Sequence, residues 1–211
     1  MPAIEDVADF VIVGTGAGGA TAARVLAAAG HDVLLLDEGP RLRTVDRPRD
    51  LLGAMRQSFR DFGTSATVGA LPLPLLQGRC VGGSTAINSG IIWRTPEDVL
   101  RAWRDDWGLA ELANERALSD AFDIIERELE IGATPPSLWG GNSALMARGA
   151  EALGLPGKAI ARNAGRCQGS AQCLQGCPAE ARQSMDVSYV PRALRDGARI
   201  HALARVDRVR F

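Results

Sequence analysis

Apolar residues along this chain fall into short runs separated by glycine-rich or charged stretches, and the most regular alternation comes first. The run FVIV at 10–13 leads straight into Gly14-x-Gly16-x-x-Gly19. Strong helix formers fill 20–29 and stop at Gly30, and a second apolar run, VLLL at 33–36, ends on Asp37. Short continuous apolar runs bounded by turn residues are the pattern of buried parallel strands, so residues 9–39 are predicted as strand, turn, helix and strand. Beyond them, RDLLGAMRQSFRDF at 49–62 predicts a short helix, and 66–76 a hairpin broken by Pro72 and Pro74. Thr95, Pro96, Glu97 and Asp98 predict a helix through Trp107, with the threonine as cap, the proline in the first turn and the acids at the positive end. Leu118, Phe122, Ile125 and Leu129 recur at helical spacing within 113–130 and read as core, and 142–153 predicts a further helix. A loop at 162–186, a helix at 189–196 and strands at 200–204 and 206–211 complete an α/β fold class: a Rossmann-like, dinucleotide-binding fold with a parallel sheet and inserted helices. There are no internal repeats.

The opening unit carries chemistry as well as structure. Gly14 permits a tight turn, Gly16 lets the backbone approach a pyrophosphate, and Gly19 lets helix and strand pack closely, so phosphates meet N–H groups at a helix N-terminus. Asp37, at the end of the second strand, stands where a carboxylate accepts hydrogen bonds from ribose hydroxyls and repels a 2′-phosphate. FAD and NAD share the ADP half, and these residues do not separate them.

A second stretch, GRCVGGSTAINSG at 78–90, is so dense in small residues that its backbone must pass close to something. Gly82, Gly83 and Gly90 remove side chains from the approach, while Ser84, Thr85, Asn88 and Ser89 offer donors and acceptors to a flat polar ring. With these two glycine motifs on the page, the chain resembles the glucose-methanol-choline (GMC) oxidoreductases from Asp9 to Phe211. That is an FAD-dependent family in which a GGSSxxNG-like loop follows the ADP fold and lies along the flavin. The resemblance implies cofactor contacts at Gly14, Gly16 and Ala17, at Asp37 and Glu38, and at Val81, Gly83 and Ser84. It further implies contacts at Asn88, Ser89 and Gly90 near the isoalloxazine, and at Val206 near the adenine. Some members tether FAD to a histidine in this loop. Ile87 matches that position and has no nucleophile, so the flavin is expected to be non-covalent.

The same resemblance implies hydride transfer from a CH–OH donor, an alcohol, sugar or sterol-like molecule, to FAD. It places the catalytic histidine, with a second histidine or an asparagine, in a C-terminal half. This chain holds only His31, between the first helix and second strand, and His201, on a late strand. Neither is positioned as a general base at the ring, and no catalytic residue is assigned. The 211 residues therefore read as a single FAD-binding domain, incomplete at its C-terminus and part of a longer two-domain enzyme. In isolation it is expected to be inactive. A non-catalytic flavin or iron-sulfur electron-transfer module working with another subunit is the alternative.

Three of the four cysteines cluster as Cys167-x5-Cys173-x3-Cys177-Pro178. Set against the bacterial iron-sulfur run C-x2-C-x2-C-x3-C-P, the spacing fits if Ser170 stands where the second cysteine would be, and three thiolates could ligate a cluster. Similar segments occur in family members that pass electrons to a cytochrome subunit, and a related cysteine-rich loop in some long-chain alcohol oxidases. A loop packed by buried thiols, a zinc site short of one ligand and a disulfide remain open readings. Cys80 reads as a small buried hydrophobe.

Composition narrows the partners. With 46% apolar residues and a net charge of −1, the chain is an ordinary globular sequence, and nucleic acid is not expected as a partner. Arg41, Arg43, Arg47 and Arg49 alternate with Asp46 and Asp50 and read as a solvated surface. No signal peptide and no run near the roughly 20 apolar residues of a membrane span is present, so a cytoplasmic location, or export only with a partner, is expected.

Overall fold

The protein is described by a computed structural model covering residues 5–111 and 114–210, which divides into two units, Met1–Ser89 with Ser170–Phe211, and Gly90–Gly169. In the first unit, β1 (Phe10–Val13) pairs in parallel with β2 (Val33–Asp37), Phe10 opposite Val33 and Val13 opposite Leu36. β2 pairs in parallel with β5 (Arg199–Ala202), Leu34 opposite Arg199 and Asp37 opposite Ala202. The order β1-β2-β5 brings the carboxyl ends of all three strands to one edge, where open α/β sheets bind ligands.

α1 (Ala17–Ala28) starts directly after Gly16, three residues earlier than the helix-former run suggests. Its inner face is alanine: Ala20, Ala23 and Ala27 are buried, and Ala23 and Ala27 pack with Val33, Leu35, Ala193 and Ala198. Small side chains let the helix lie close to the sheet and to α6 (Tyr189–Arg195), the short helix expected at 189–196. Gly19 is required for that approach, because a Cβ there would lie 2.0 Å from the Gly14 carbonyl oxygen.

The prediction of a buried first strand holds for its pairing and fails for its burial. Val11 and Val13 are 53% and 60% exposed, because β1 is an edge strand among the described residues, with β2 on one side only. The helix expected at 49–62 is two pieces. α2 (Leu51–Ser58) starts on Asp50, whose side chain accepts from Gly53 N, and a tight turn follows at Arg60–Gly63, in which Asp61 and Phe62 have φ of 47° and 58°. The hairpin at 66–76 is reduced to a single bridge between Ala66 and Pro74, since Pro72 and Pro74 have no N–H to extend a ladder. No strand forms over 206–210; Phe211, the last residue of that predicted strand, lies outside the described residues.

The second unit holds α3 (Glu97–Asp105), α4 (Glu115–Glu128), α5 (Gly141–Ala152) and the antiparallel pair β3 (Gly132–Ala133) and β4 (Ala161–Arg162). Pro96 rather than Thr95 occupies the cap of α3, with no side-chain cap bond. Asn114 caps α4 by accepting from Ala117 N, and Ala113, where that helix was expected to start, lies outside the described residues. Leu129 is buried and Leu118, Phe122 and Ile125 are half-buried, the inward face their spacing predicts. Among the described residues no helix is long and apolar enough to cross a membrane.

Candidate functional site

The carboxyl ends of β1 and β2 frame an open cavity of about 390 Å³, lined by Gly14, Thr15, Gly16, Asp37, Glu38, Arg60, Arg79, Gly83 and Val206 among others. Gly14 turns the chain with φ +89°, a conformation that favours glycine, and its N–H donates to the Leu36 carbonyl. A Cβ on Gly14 or Gly16 would meet nothing within 4 Å, so both backbones face open space. Gly16 is the N-cap of α1 and supplies no side-chain cap, and the first turn holds no acid. The leading N–H groups of the helix thus keep their hydrogen-bonding capacity and the partial positive charge of its N-terminus. The glycine cradle and the uncapped helix end fit a dinucleotide pyrophosphate.

Asp37 lines this cavity, yet its carboxylate also braces the turn. Its Oδ2 accepts from Thr15 N at 3.0 Å and from Thr15 Oγ1 at 2.5 Å, and its Oδ1 accepts from Gly39 N at 2.9 Å. The fully buried Thr15 hydroxyl in turn accepts from Gly82 N at 2.8 Å, joining the two glycine motifs through one side chain. Glu38 presents its carboxylate at the cavity wall, ion-paired with Arg60 and 3.9 Å from Arg79. Ala204 N donates to the Asp37 carbonyl at 2.8 Å, which carries Ala204, Arg205 and Val206 along the same wall.

The second motif forms a one-turn 3-10 helix at Gly83–Ala86, led by Gly82 with φ +96°. Gly83 comes so close to Gly16 that an added Cβ would sit 3.0 Å from its Cα. Ser84 Oγ accepts from Gly78 N at 3.0 Å, and Thr85 Oγ1 donates to the Gly82 carbonyl at 2.6 Å. Of the remaining sequence-predicted contacts, Val81 is buried, its N–H bonded to the Pro40 carbonyl, and Ala17, Ser84, Asn88 and Ser89 are exposed outside the cavity lining. Gly90 opens the second unit, where its carbonyl accepts from Asn163 N at 3.0 Å. Ile87 is buried and packs with Ala54 and Phe59.

Beneath this loop lies a group of charges that local pattern does not reveal. Arg182, 2% exposed, donates from Nη1 to the Thr85 carbonyl and to Asn88 Oδ1 (3.0 Å), and from Nη2 to the Ala86 carbonyl (2.6 Å). Arg47 and Asp186 form a buried ion pair at 2.7 Å, with side chains 3% and 10% exposed. Arg47 is thus a correction to the solvated arginine run: of the four, it turns inward to an acid 139 residues away. A buried arginine needs a distant acceptor, and spacing along the chain carries no record of one.

Cys80 is 1% exposed, and burial pushes its thiol up to about 11, so it stays neutral at physiological pH. The iron-sulfur reading of Cys167, Cys173 and Cys177 finds no support in the geometry. Among the described residues no group of three or more His, Cys, Asp or Glu is arranged to hold a metal. No disulfide joins them either. His201 Nε2 lies 2.9 Å from Asp6, and His31 stacks edge-on against Phe10 at 5.1 Å; neither lines the cavity.

A parallel sheet whose strand ends meet a glycine turn and an uncapped helix defines the dinucleotide-binding class of α/β domain. Within that class the chain belongs to the GMC oxidoreductase family, whose model matches residues 8–211, and it is an FAD-binding domain of these flavoproteins. An uncharacterized GMC-type oxidoreductase of Mycobacterium tuberculosis (strain H37Rv) is 40% identical over 204 residues, covering 96% of this chain and 32% of the relative. A long-chain-alcohol oxidase of Arabidopsis thaliana, FAO4B, is 31% identical over 201 residues, 95% of this chain and 26% of its own. The crystal structure of a pyridoxine 4-oxidase from Mesorbium loti shares the fold with a TM-score of 0.61 at 18% identity, covering 97% of this chain and 44% of that one. The chain therefore spans about a third of the length of the relatives it matches.

Proposed function

We propose that this chain is the FAD-binding portion of an enzyme that oxidises a CH–OH donor, and that FAD is held without a covalent bond. When bound, the flavin would supply the hydride acceptor. The observation that carries the reading is the open cavity at Gly14 and Gly16, beside an α1 N-terminus that no side chain caps. In this reading the helix N–H groups from Ala17 onward and the bare Gly16 backbone receive the pyrophosphate. Glu38 offers its carboxylate to the ribose hydroxyls, Asp37 holds the turn in shape behind it, and Val206 lies against the adenine. The loop from Gly83 to Gly90, with Ser84, Asn88 and Ser89 as its polar groups, follows the flavin ring. The long-chain-alcohol oxidases among the relatives favour an alcohol-type substrate.

Calorimetric titration of the purified chain with FAD and with ADP tests this. Both ligands should bind competitively at one site, and acid precipitation should release intact FAD into the supernatant. Absence of binding by either ligand refutes the cofactor reading, and flavin that remains in the precipitated protein refutes the non-covalent one.

A further inference from the structure

We propose that Arg182 is a positioning residue for the loop that faces the flavin ring, fixing the backbone at Thr85 and Ala86 and the side chain of Asn88. The inference rests on the FAD reading above and adds to it a residue remote in sequence from both glycine motifs.

The Arg182 guanidinium donates to this one loop, at the Thr85 carbonyl, the Ala86 carbonyl and Asn88 Oδ1. Taking a guanidinium out of water costs several kcal/mol unless good acceptors replace the lost hydration, so a fold that spends a buried charge here gains a rigidly held segment. Burial pulls the Arg182 pKa below its ordinary value, while Asp186, Cys173 and Cys177 favour the charged form. The loop needs an external brace. It starts on two glycines with positive φ and makes a single turn of 3-10 helix, which leaves it few bonds of its own.

The same short segment supplies further support. Met185 N donates to Thr85 Oγ1 at 3.0 Å. Asp186, anchored by Arg47, sits so close to Gly82 that a Cβ there would lie 2.9 Å from Asp186 Oδ1. A planar fork reaches three acceptors along the loop at once; a lysine ammonium at the same place is a point charge on a flexible stem and cannot hold all three. Thr15 and Asp37 brace the adenine end, and Thr15 meets the second motif at Gly82, ahead of the Thr85–Asn88 stretch that Arg182 holds. Loss of Arg182 should therefore be felt at the ring and spare the ADP socket.

The test compares FAD and ADP affinities, with visible circular dichroism of the bound flavin, for the FAD-loaded protein and its Arg182→Met and Arg182→Lys variants. Arg182→Met should raise the FAD dissociation constant by about tenfold or more and leave that for ADP within about twofold, the loss of charge-assisted bonds at one end only. Arg182→Lys should recover part of the affinity, with a flavin dichroism still displaced from that of the parent. If Arg182→Met does not fold, the ratio of the two affinities in Arg182→Lys decides alone. Equal weakening of FAD and ADP, or no change in either the ratio or the dichroism, overturns the proposal. A parent protein that binds ADP but no FAD refutes the cofactor reading itself, before any variant is compared.

Discussion

At the residue scale, the pair Asp37 and Glu38 shows how one acidic signal divides into two roles. The carboxylate of Asp37 accepts from two backbone N–H groups and the buried Thr15 hydroxyl. Asp37→Ala leaves those donors without an acceptor and should destabilise the protein by about 2–4 kcal/mol, read as a lower denaturant midpoint. Glu38 is part-exposed and paired with arginines at the cavity wall. Glu38→Gln should cost about 1 kcal/mol or less in stability and act chiefly on FAD affinity. A Glu38→Gln variant with native affinity would take that side chain out of the ribose site, and an Asp37→Ala variant with native stability would refute the bracing role. Thr15 escapes a reading of the motif because it stands between two glycines at a position for which the motif specifies no residue, and its contacts with Asp37 and Gly82 appear only in the fold.

At the element scale, the strand-turn-helix unit is legible because each of its glycines has a local reason, and those reasons separate by substitution. Gly19→Ala places a Cβ 2.0 Å from the Gly14 carbonyl oxygen, forces α1 away from β1, and should cost about 3 kcal/mol, an overpacking penalty. Gly16→Ala meets no atom within 4 Å and keeps an ordinary φ of −67°. It should leave the thermal midpoint unchanged while weakening FAD by at least about tenfold, or 1.4 kcal/mol, because the methyl group enters the space the phosphates need. Thermal unfolding followed beside FAD titration distinguishes the two, and the same response from both variants would contradict the division of roles. The elements read less well are those decided by their surroundings. Asp61 and Phe62 take positive φ at the end of a stretch that reads as continuous helix, and Pro96 displaces Thr95 from a cap that the local sequence assigns to threonine.

At the scale of the whole molecule, two facts bear on activity. The chain covers 32–40% of the length of its bacterial relatives, and neither His31 nor His201 stands at the cavity. Alcohol oxidation needs a base within hydrogen-bond reach of the substrate hydroxyl. We therefore propose that the 211 residues bind FAD without turning over alcohols. Anaerobic mixing of the FAD-loaded chain with primary alcohols should leave the flavin absorbance oxidised. Bleaching of that absorbance by any simple alcohol would show that the described residues contain the base after all.

What the sequence determines by itself is local in its physics. Apolar runs, a glycine spacing and a terminal acid suffice for β1, α1, β2 and the cavity they border, because each turn, cap and strand there depends on residues within about one βαβ unit. The small-residue loop at 78–90 is likewise visible, as a place where backbone comes close to something. Only the tertiary structure decides what holds that loop. Arg47 turns inward to Asp186, Arg182 reaches back 97 residues to Thr85, and Val206 comes to the wall through a bond from Ala204 N to the Asp37 carbonyl. Charge pairing and backbone bonding over such separations follow from how the elements dock, and a one-dimensional pattern has no term for docking.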